Sequence, residues 1–186
     1  MMKTLVITGG TGALGSVVVP RLAREYRCIL LKRDQDPDEV IEAVAPIYAF
    51  VHLAGGFASG TVAESGDTAW MSMINANLMT FVTGVRAAIP HLERGGRIVA
   101  ISSRATLEKP AGITPYVVSK SALNATVEVL AKELKSDGVT VNALLPNTLK
   151  TGTAAGVPLE DVAEAIVFLL SSAAAEITGA LIPMSA

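Results

Sequence analysis

Tyr116 and Lys120 stand four residues apart in Tyr-Val-Val-Ser-Lys. On a helix that spacing puts both side chains on one face. An ammonium beside a phenol stabilises the phenolate and draws its pKa down from about 10 toward neutrality, which a tyrosine needs to act as general acid or base. Ser103 lies thirteen residues upstream, just past the apolar run Ile98-Val99-Ala100-Ile101, where its hydroxyl can hydrogen-bond a substrate carbonyl. Asn77 falls inside the helix-periodic stretch Ile74-Asn75-Ala76-Asn77-Leu78. Asparagine is unfavourable inside a helix, so the position marks a functional role or a polar face. An ordinary amphipathic helix start also yields a tyrosine and a lysine at this spacing by chance.

A second constellation opens the chain. Thr8-Gly9-Gly10-Thr11-Gly12-Ala13-Leu14-Gly15 follows the apolar run Leu5-Val6-Ile7 and precedes a helical pattern. A buried strand turning sharply into a helix points backbone N–H groups outward at the helix N-terminus, where the dipole favours an anion. Glycines allow the tight turn, the approach of a pyrophosphate and the packing of helix on strand. A spaced-glycine match alone is a weak signal, since a turn without a ligand reads the same way.

The elements that must position these groups recur regularly. Apolar, strand-like runs occupy residues 4–8, 28–32, 48–54, 97–102, 139–145 and 180–183, with helix-periodic stretches at 14–25, 37–45, 68–93, 116–136 and 159–171. Strands alternating with helices predict an α/β fold: a single doubly wound Rossmann-type parallel sheet of about six strands, helices on both faces. Thr114-Pro115 reads as an N-cap followed by a first-turn proline, and Gly138 closes the same helix after Leu134. Trp70, Met73, Ile74, Leu78, Phe81, Val82 and Val85 form a stripe that reads as core or oligomer contact. His52, before Leu53-Ala54-Gly55, sits at a strand terminus on the ligand side of such a sheet, although a single histidine is more often structural. His91 reads as a solvated or capping side chain.

Composition narrows the class. The 186 residues are 51% hydrophobic and predict one domain over residues 1–186. A mean hydropathy of +0.48 fits a parallel sheet buried on both faces, with burial in an oligomer interface adding to it. No apolar run reaches the ~18 residues of a membrane span, and the opening does not read as a signal peptide. A formal charge of −2 without blocks of like charge argues against a nucleic-acid partner. Cys28 is the only cysteine, which suits a reducing cytoplasm, and it reads as a buried core thiol. No metal site is expected.

In order along the chain, the set resembles the short-chain dehydrogenase/reductase family. It comprises the glycine turn, Ala54-Gly55-Gly56, Asn77-Leu78, Gly96-Arg97-Ile98-Val99 leading to Ser102-Ser103, and Tyr116-x-x-x-Lys120. Val141-Asn142-Ala143 with Pro146 and Thr151, and finally Ile177-Thr178-Gly179, complete it. Within the family, the glycine turn, Ala54–Gly60 and Leu145–Thr151 look most like the dihydropteridine reductase branch. The resemblance implies a catalytic set of Asn77, Ser103, Tyr116 and Lys120. Ser103 would orient the substrate, Tyr116 would exchange the proton, Lys120 would bind the nicotinamide ribose and tune Tyr116, and Asn77 would support a water-linked proton relay. A nicotinamide cofactor would lie against Thr8 to Gly15, Ala54, Gly55, Gly56, Tyr116, Lys120, Pro146, Asn147, Thr148 and Thr151. Lys32 and Arg33 follow the second strand, where basic residues accommodate a 2′-phosphate, so NADP(H) is favoured. Asp34 would serve NAD(H) in a register one or two residues different.

The chain departs from the family pattern in four places. Ala13 replaces the commonest glycine, and Asn147 follows Pro146 where glycine is frequent. Residues 34–46 leave room for one short helix but not for the family's third strand, and only Gly152–Pro158 stand where helices usually cover the substrate. The expected protein is a cytoplasmic, homodimeric or homotetrameric NADP(H)-dependent reductase of a carbonyl or pteridine-like small molecule. The rival readings are a non-catalytic dinucleotide-binding or redox-sensing protein, and a subunit whose partner completes the site.

Overall fold

A computed structural model describes residues 2–152 and 155–185. Six strands form one sheet: β1 (Thr4–Thr8), β2 (Arg27–Leu31), β3 (Ile47–His52), β4 (Leu92–Ile101), β5 (Thr140–Pro146) and β6 (Leu181–Met184). All neighbours run parallel, in the order β2-β1-β3-β4-β5-β6. β1, β3 and β5 are buried at every residue, as strands covered on both faces must be. The helices are α1 (Gly15–Leu22), α2 (Pro37–Glu42), α3 (Asp67–Ile74), α4 (Thr80–Ala88), α5 (Ala105–Glu108), α6 (Thr114–Glu133) and α7 (Leu159–Leu170).

Two apolar layers sandwich the sheet. On one face Ile41 of α2, Phe81 and Val85 of α4, and Leu123 and Val127 of α6 pack on Val6, Phe50, Ile98 and Val141. On the other, Val18 and Leu22 of α1 and Val162 and Ile166 of α7 pack on Leu5, Ile7, Val51, Val99 and Leu144. Alternate residues of a strand therefore feed opposite layers.

The third family strand is missing, as the chain length predicts. Residues 37–42 form α2 instead, capped by the Asp36 carboxylate accepting from Asp38 N–H at 2.9 Å, and β2 becomes a sheet edge. That edge corrects the reading of Cys28. The thiol is half-buried, because an edge strand is only partly covered, and burial raises its pKa.

Other boundaries also shift. The expected helix over 68–93 is broken into α3, a wide π-helical turn at Asn75–Met79, α4 and a tight turn at Ile89–His91 that contains Pro90. Residues 92–93 belong to β4, where Leu92 pairs with Ile47 ahead of an irregularity in the ladder. β3 stops at His52, so that Leu53 and Ala54 leave the sheet toward the glycine turn. Thr114 is the first residue of α6 and not its cap; Ile113 takes the cap position without a side-chain bond. α5 has no counterpart among the expected helices. Gly138 does close the α6 segment, at φ +69°. Among the described residues, no helix is long and apolar enough to cross a membrane.

Candidate active site

The glycine turn joins β1 to α1 at the C-terminal end of the sheet, where ligands of open α/β sheets bind. Gly9 has φ +69°, and a Cβ there would stand 2.5 Å from the backbone nitrogen of Ala54. The turn therefore lies directly on the segment leaving β3. Thr11, Gly12 and Ala13 are exposed at its crest, whereas Leu14 is buried in the core, so that only its backbone can face a ligand. Gly15 opens α1 in close contact with Gly10. Thr8 and His52, neighbours in register, join through Thr8 Oγ1 and His52 Nδ1 at 2.8 Å. His52 is fully buried, and desolvation, with the charge of Lys120 adding to it, lowers its pKa to about 3.

Lys32 and Arg33 follow Leu31, which pairs with Thr8, and so emerge beside the glycine turn. Both are exposed, and among the described residues neither makes an ion pair. An exposed turn on a helix N-terminus, with two cations beside it, fits the phosphates of a dinucleotide.

Across the sheet end, β4 and α6 carry Ser103, Tyr116 and Lys120. Tyr116 and Lys120 share the first turns of α6, and Ser103 follows β4. Lys120 is 5% exposed and its Nζ donates to the carbonyl of Ile101 at 2.8 Å; burial lowers its pKa to about 8. The depression expected for Tyr116 is not seen. Burial pushes the phenol up, and the Ser103 hydroxyl, not Lys120, pulls it down. The ammonium is turned onto Ile101, which leaves the phenol to its desolvated surroundings. Such a phenol keeps its proton at neutral pH and can donate it.

Asn77 is fully buried in the π-helical turn. Its Oδ1 accepts from Gly56 N–H at 2.8 Å, while its Nδ2 donates to Gly56 O at 3.0 Å and to Ser119 Oγ at 3.0 Å. Ser119 in turn donates to Tyr116 O at 2.7 Å. Ser119 has no counterpart among the expected site residues, although it lies inside Tyr-Val-Val-Ser-Lys. A Cβ on Gly55 would stand 2.9 Å from Asn77 Oδ1 and 3.1 Å from Lys120 Nζ, so Asn77 and Lys120 converge on one backbone segment.

Pro146 ends β5 beside Ser103, and its carbonyl accepts from Arg104 N–H at 3.0 Å. Asn147, Thr148 and Thr151 follow the end of β5. They lie in a short return loop in which Thr148 O accepts from Val157 N–H at 2.8 Å. Thr153 and Ala154, within the shortened 152–158 segment, lie outside the described residues. A broad depression of about 800 Å³ lies at the opposite end of the sheet, bordered by Lys3, Tyr48 and Arg97, away from all of these groups.

The short chain dehydrogenase family model matches residues 37–161. The chain belongs to the short-chain dehydrogenase family. It is 30% identical to an acetoacetyl-CoA reductase of Allochromatium vinosum, over all of this chain and 98% of that protein. It is 28% identical to a 2,5-dichloro-2,5-cyclohexadiene-1,4-diol dehydrogenase of Sphingobium indicum, over 77% of this chain and 66% of that one. The chain thus spans just under two thirds of this second relative. The fold superposes on an oxidoreductase of the same family from Burkholderia thailandensis with a TM-score of 0.90 and 26% identity, covering 98% of this chain and 91% of that one.

Proposed function

We propose that this chain is an NADP(H)-dependent oxidoreductase that reduces a carbonyl or pteridine-like acceptor. The observation that carries this reading is the meeting of Ser103, Tyr116 and Lys120 at the sheet end that also holds the glycine turn. A sensor needs the turn but no proton donor. Thr8 to Gly15 and Ala54 to Gly56 hold the dinucleotide, Lys32 and Arg33 take its 2′-phosphate, and Pro146, Asn147, Thr148 and Thr151 border its nicotinamide end. The cofactor, when bound, supplies hydride chemistry.

The chain's own groups supply the rest. Ser103 holds the acceptor oxygen, and the protonated Tyr116 phenol, kept neutral by burial, donates to it. Lys120, with a pKa of about 8, is poised to return a proton near neutral pH and to hold the ribose. Asn77 is a positioning residue for that relay, since its amide is engaged by Gly56 and Ser119. The test is NADPH consumption with a panel of quinonoid pterins, aldehydes, ketones and quinones. Turnover of one class, lost in Tyr116→Phe, is expected; binding of NADPH without turnover of any acceptor would favour a sensor.

A further inference from the structure

We propose, building on the oxidoreductase reading above, that Phe57 sets substrate choice by stacking a planar ring bonded directly to the reacting carbonyl carbon. Phe57 is 66% exposed, yet its ring stands edge-on to that of Tyr116, with centroids 5.0 Å apart and planes at 69°. What distinguishes Phe57 from the other exposed apolar side chains is this contact, which offers any ligand seated at Tyr116 an aromatic wall.

The segment carrying Phe57 is held at both ends. Gly56 is fixed by the two bonds to Asn77. Gly60 donates to Gly112 O at 2.6 Å and accepts from Thr114 N–H at 3.0 Å. Gly60 has φ +153°, a conformation that residues with a side chain rarely adopt, which favours glycine there. The second anchor is the first residue of α6, in the same helical turn as Tyr116. Phe57 and Tyr116 therefore belong to one rigid unit, and the aromatic wall keeps its place relative to the proton donor.

A carbonyl oxygen taking the Tyr116 proton lies within about 3 Å of the phenol oxygen. Groups on the carbonyl carbon then reach the neighbouring Phe57 ring. Aromatic partners settle at centroid separations of about 4.5–7 Å, offset or edge-on. A flat ring meets that requirement, and a saturated ring, thickened by axial hydrogens, meets it poorly.

Acetophenone and cyclohexyl methyl ketone share a carbon skeleton and differ in planarity. Their kcat/KM values with NADPH, and their calorimetric affinities for the NADP⁺ complex, can be compared in the unmodified protein and in Phe57→Ala, Phe57→Leu and Phe57→Trp. The unmodified protein is expected to prefer acetophenone. That preference should fall about tenfold in Phe57→Ala and Phe57→Leu and return in Phe57→Trp. An unchanged ratio in Phe57→Ala overturns the proposal, as does equal or absent binding of the two ketones. A change of oligomeric mass in Phe57→Ala at an unchanged ratio overturns it too, assigning the ring to a contact between copies. Turnover of neither ketone, with a Phe57-dependent affinity ratio retained, counts against the oxidoreductase reading and leaves the ring site standing.

Discussion

Asn77 satisfies both backbone polar groups of Gly56, taking its N–H at 2.8 Å and giving to its carbonyl at 3.0 Å. An amide side chain here does the work of a neighbouring strand for a backbone that has already left the sheet. Truncation leaves two part-buried backbone groups of Gly56 without their partner, at a cost of roughly 1–3 kcal/mol per unsatisfied group, while Ser119 keeps its bond to Tyr116 O. Asn77→Ala should therefore lower unfolding free energy by about 2 kcal/mol or more in urea titration, and lower kcat with it. A variant of unchanged stability would show that the pairing contributes nothing.

Tyr116→Phe removes the proton donor and little else. A fall in kcat of about 10²–10⁴-fold is expected, with NADPH affinity nearly unchanged, because the hydroxyl acts mainly in the transition state. Lys120→Ala should reduce both turnover and NADPH affinity. Steady-state kinetics and fluorescence titration of NADPH check the two together.

Among the described residues, Lys32 and Arg33 have no carboxylate partner, and they emerge beside the glycine turn. NADPH should raise the melting temperature more than NADH at equal concentration, and Arg33→Ala should narrow the gap. Equal shifts in the unmodified protein would remove the case for the 2′-phosphate.

His52 gives a pH signature. Its folded pKa is about 3 against an ordinary 6.5, so between those values the unfolded chain binds more protons than the folded one. Stability then rises with pH through this window and is lost as pH falls from about 6.5 toward 3. The full difference is roughly 5 kcal/mol at 1.36 kcal/mol per unit. His52→Asn, which cannot titrate, should show a flatter melting temperature between pH 6.5 and 4; parallel curves for the two proteins would refute the assignment.

Met71, Met79, Val118 and Val129 are large apolar side chains left exposed on the segment from α3 to α4 and on α6. Closed homo-oligomers bury such patches. Light scattering at micromolar concentration should give a dimer or tetramer of the 19.2 kDa chain, and Val129→Glu should lower that mass. A single-chain mass for the unmodified protein would contradict the expectation.

The sheet was legible because strands buried on both faces leave unbroken apolar runs, with helix-periodic stretches between them. The edge position of β2 followed from chain length alone, but its consequence for Cys28 did not, since Cys28-Ile29-Leu30-Leu31 is as apolar as an interior strand. The π-helical turn was hidden because one extra residue barely disturbs a 3.6-residue period over Asn75–Met79. Tyr116, Lys120 and Ser103 could be picked out by type and spacing. The direction of the Tyr116 shift could not, because it depends on which carbonyl Lys120 reaches. Phe57 lies in a stretch without periodicity, and only its contact with Tyr116 distinguishes it.

The parallel sheet also dictates the order in which the protein can assemble. No two strands are joined by a hairpin, and every pairing waits for a crossover to be completed. β1 finds its first partner only when Arg27–Leu31 has been made, and its second only with Ile47–His52. Gly9 meets Ala54 only once that third strand is in place. Ser103 and Lys120 lie beyond that point, and β4 gains its far neighbour only with Thr140–Pro146. Such long-range closures are slow. The glycine turn therefore takes both its flanking strands from the first third of the chain, whereas the strand that carries Ser103 waits for residues beyond Lys120.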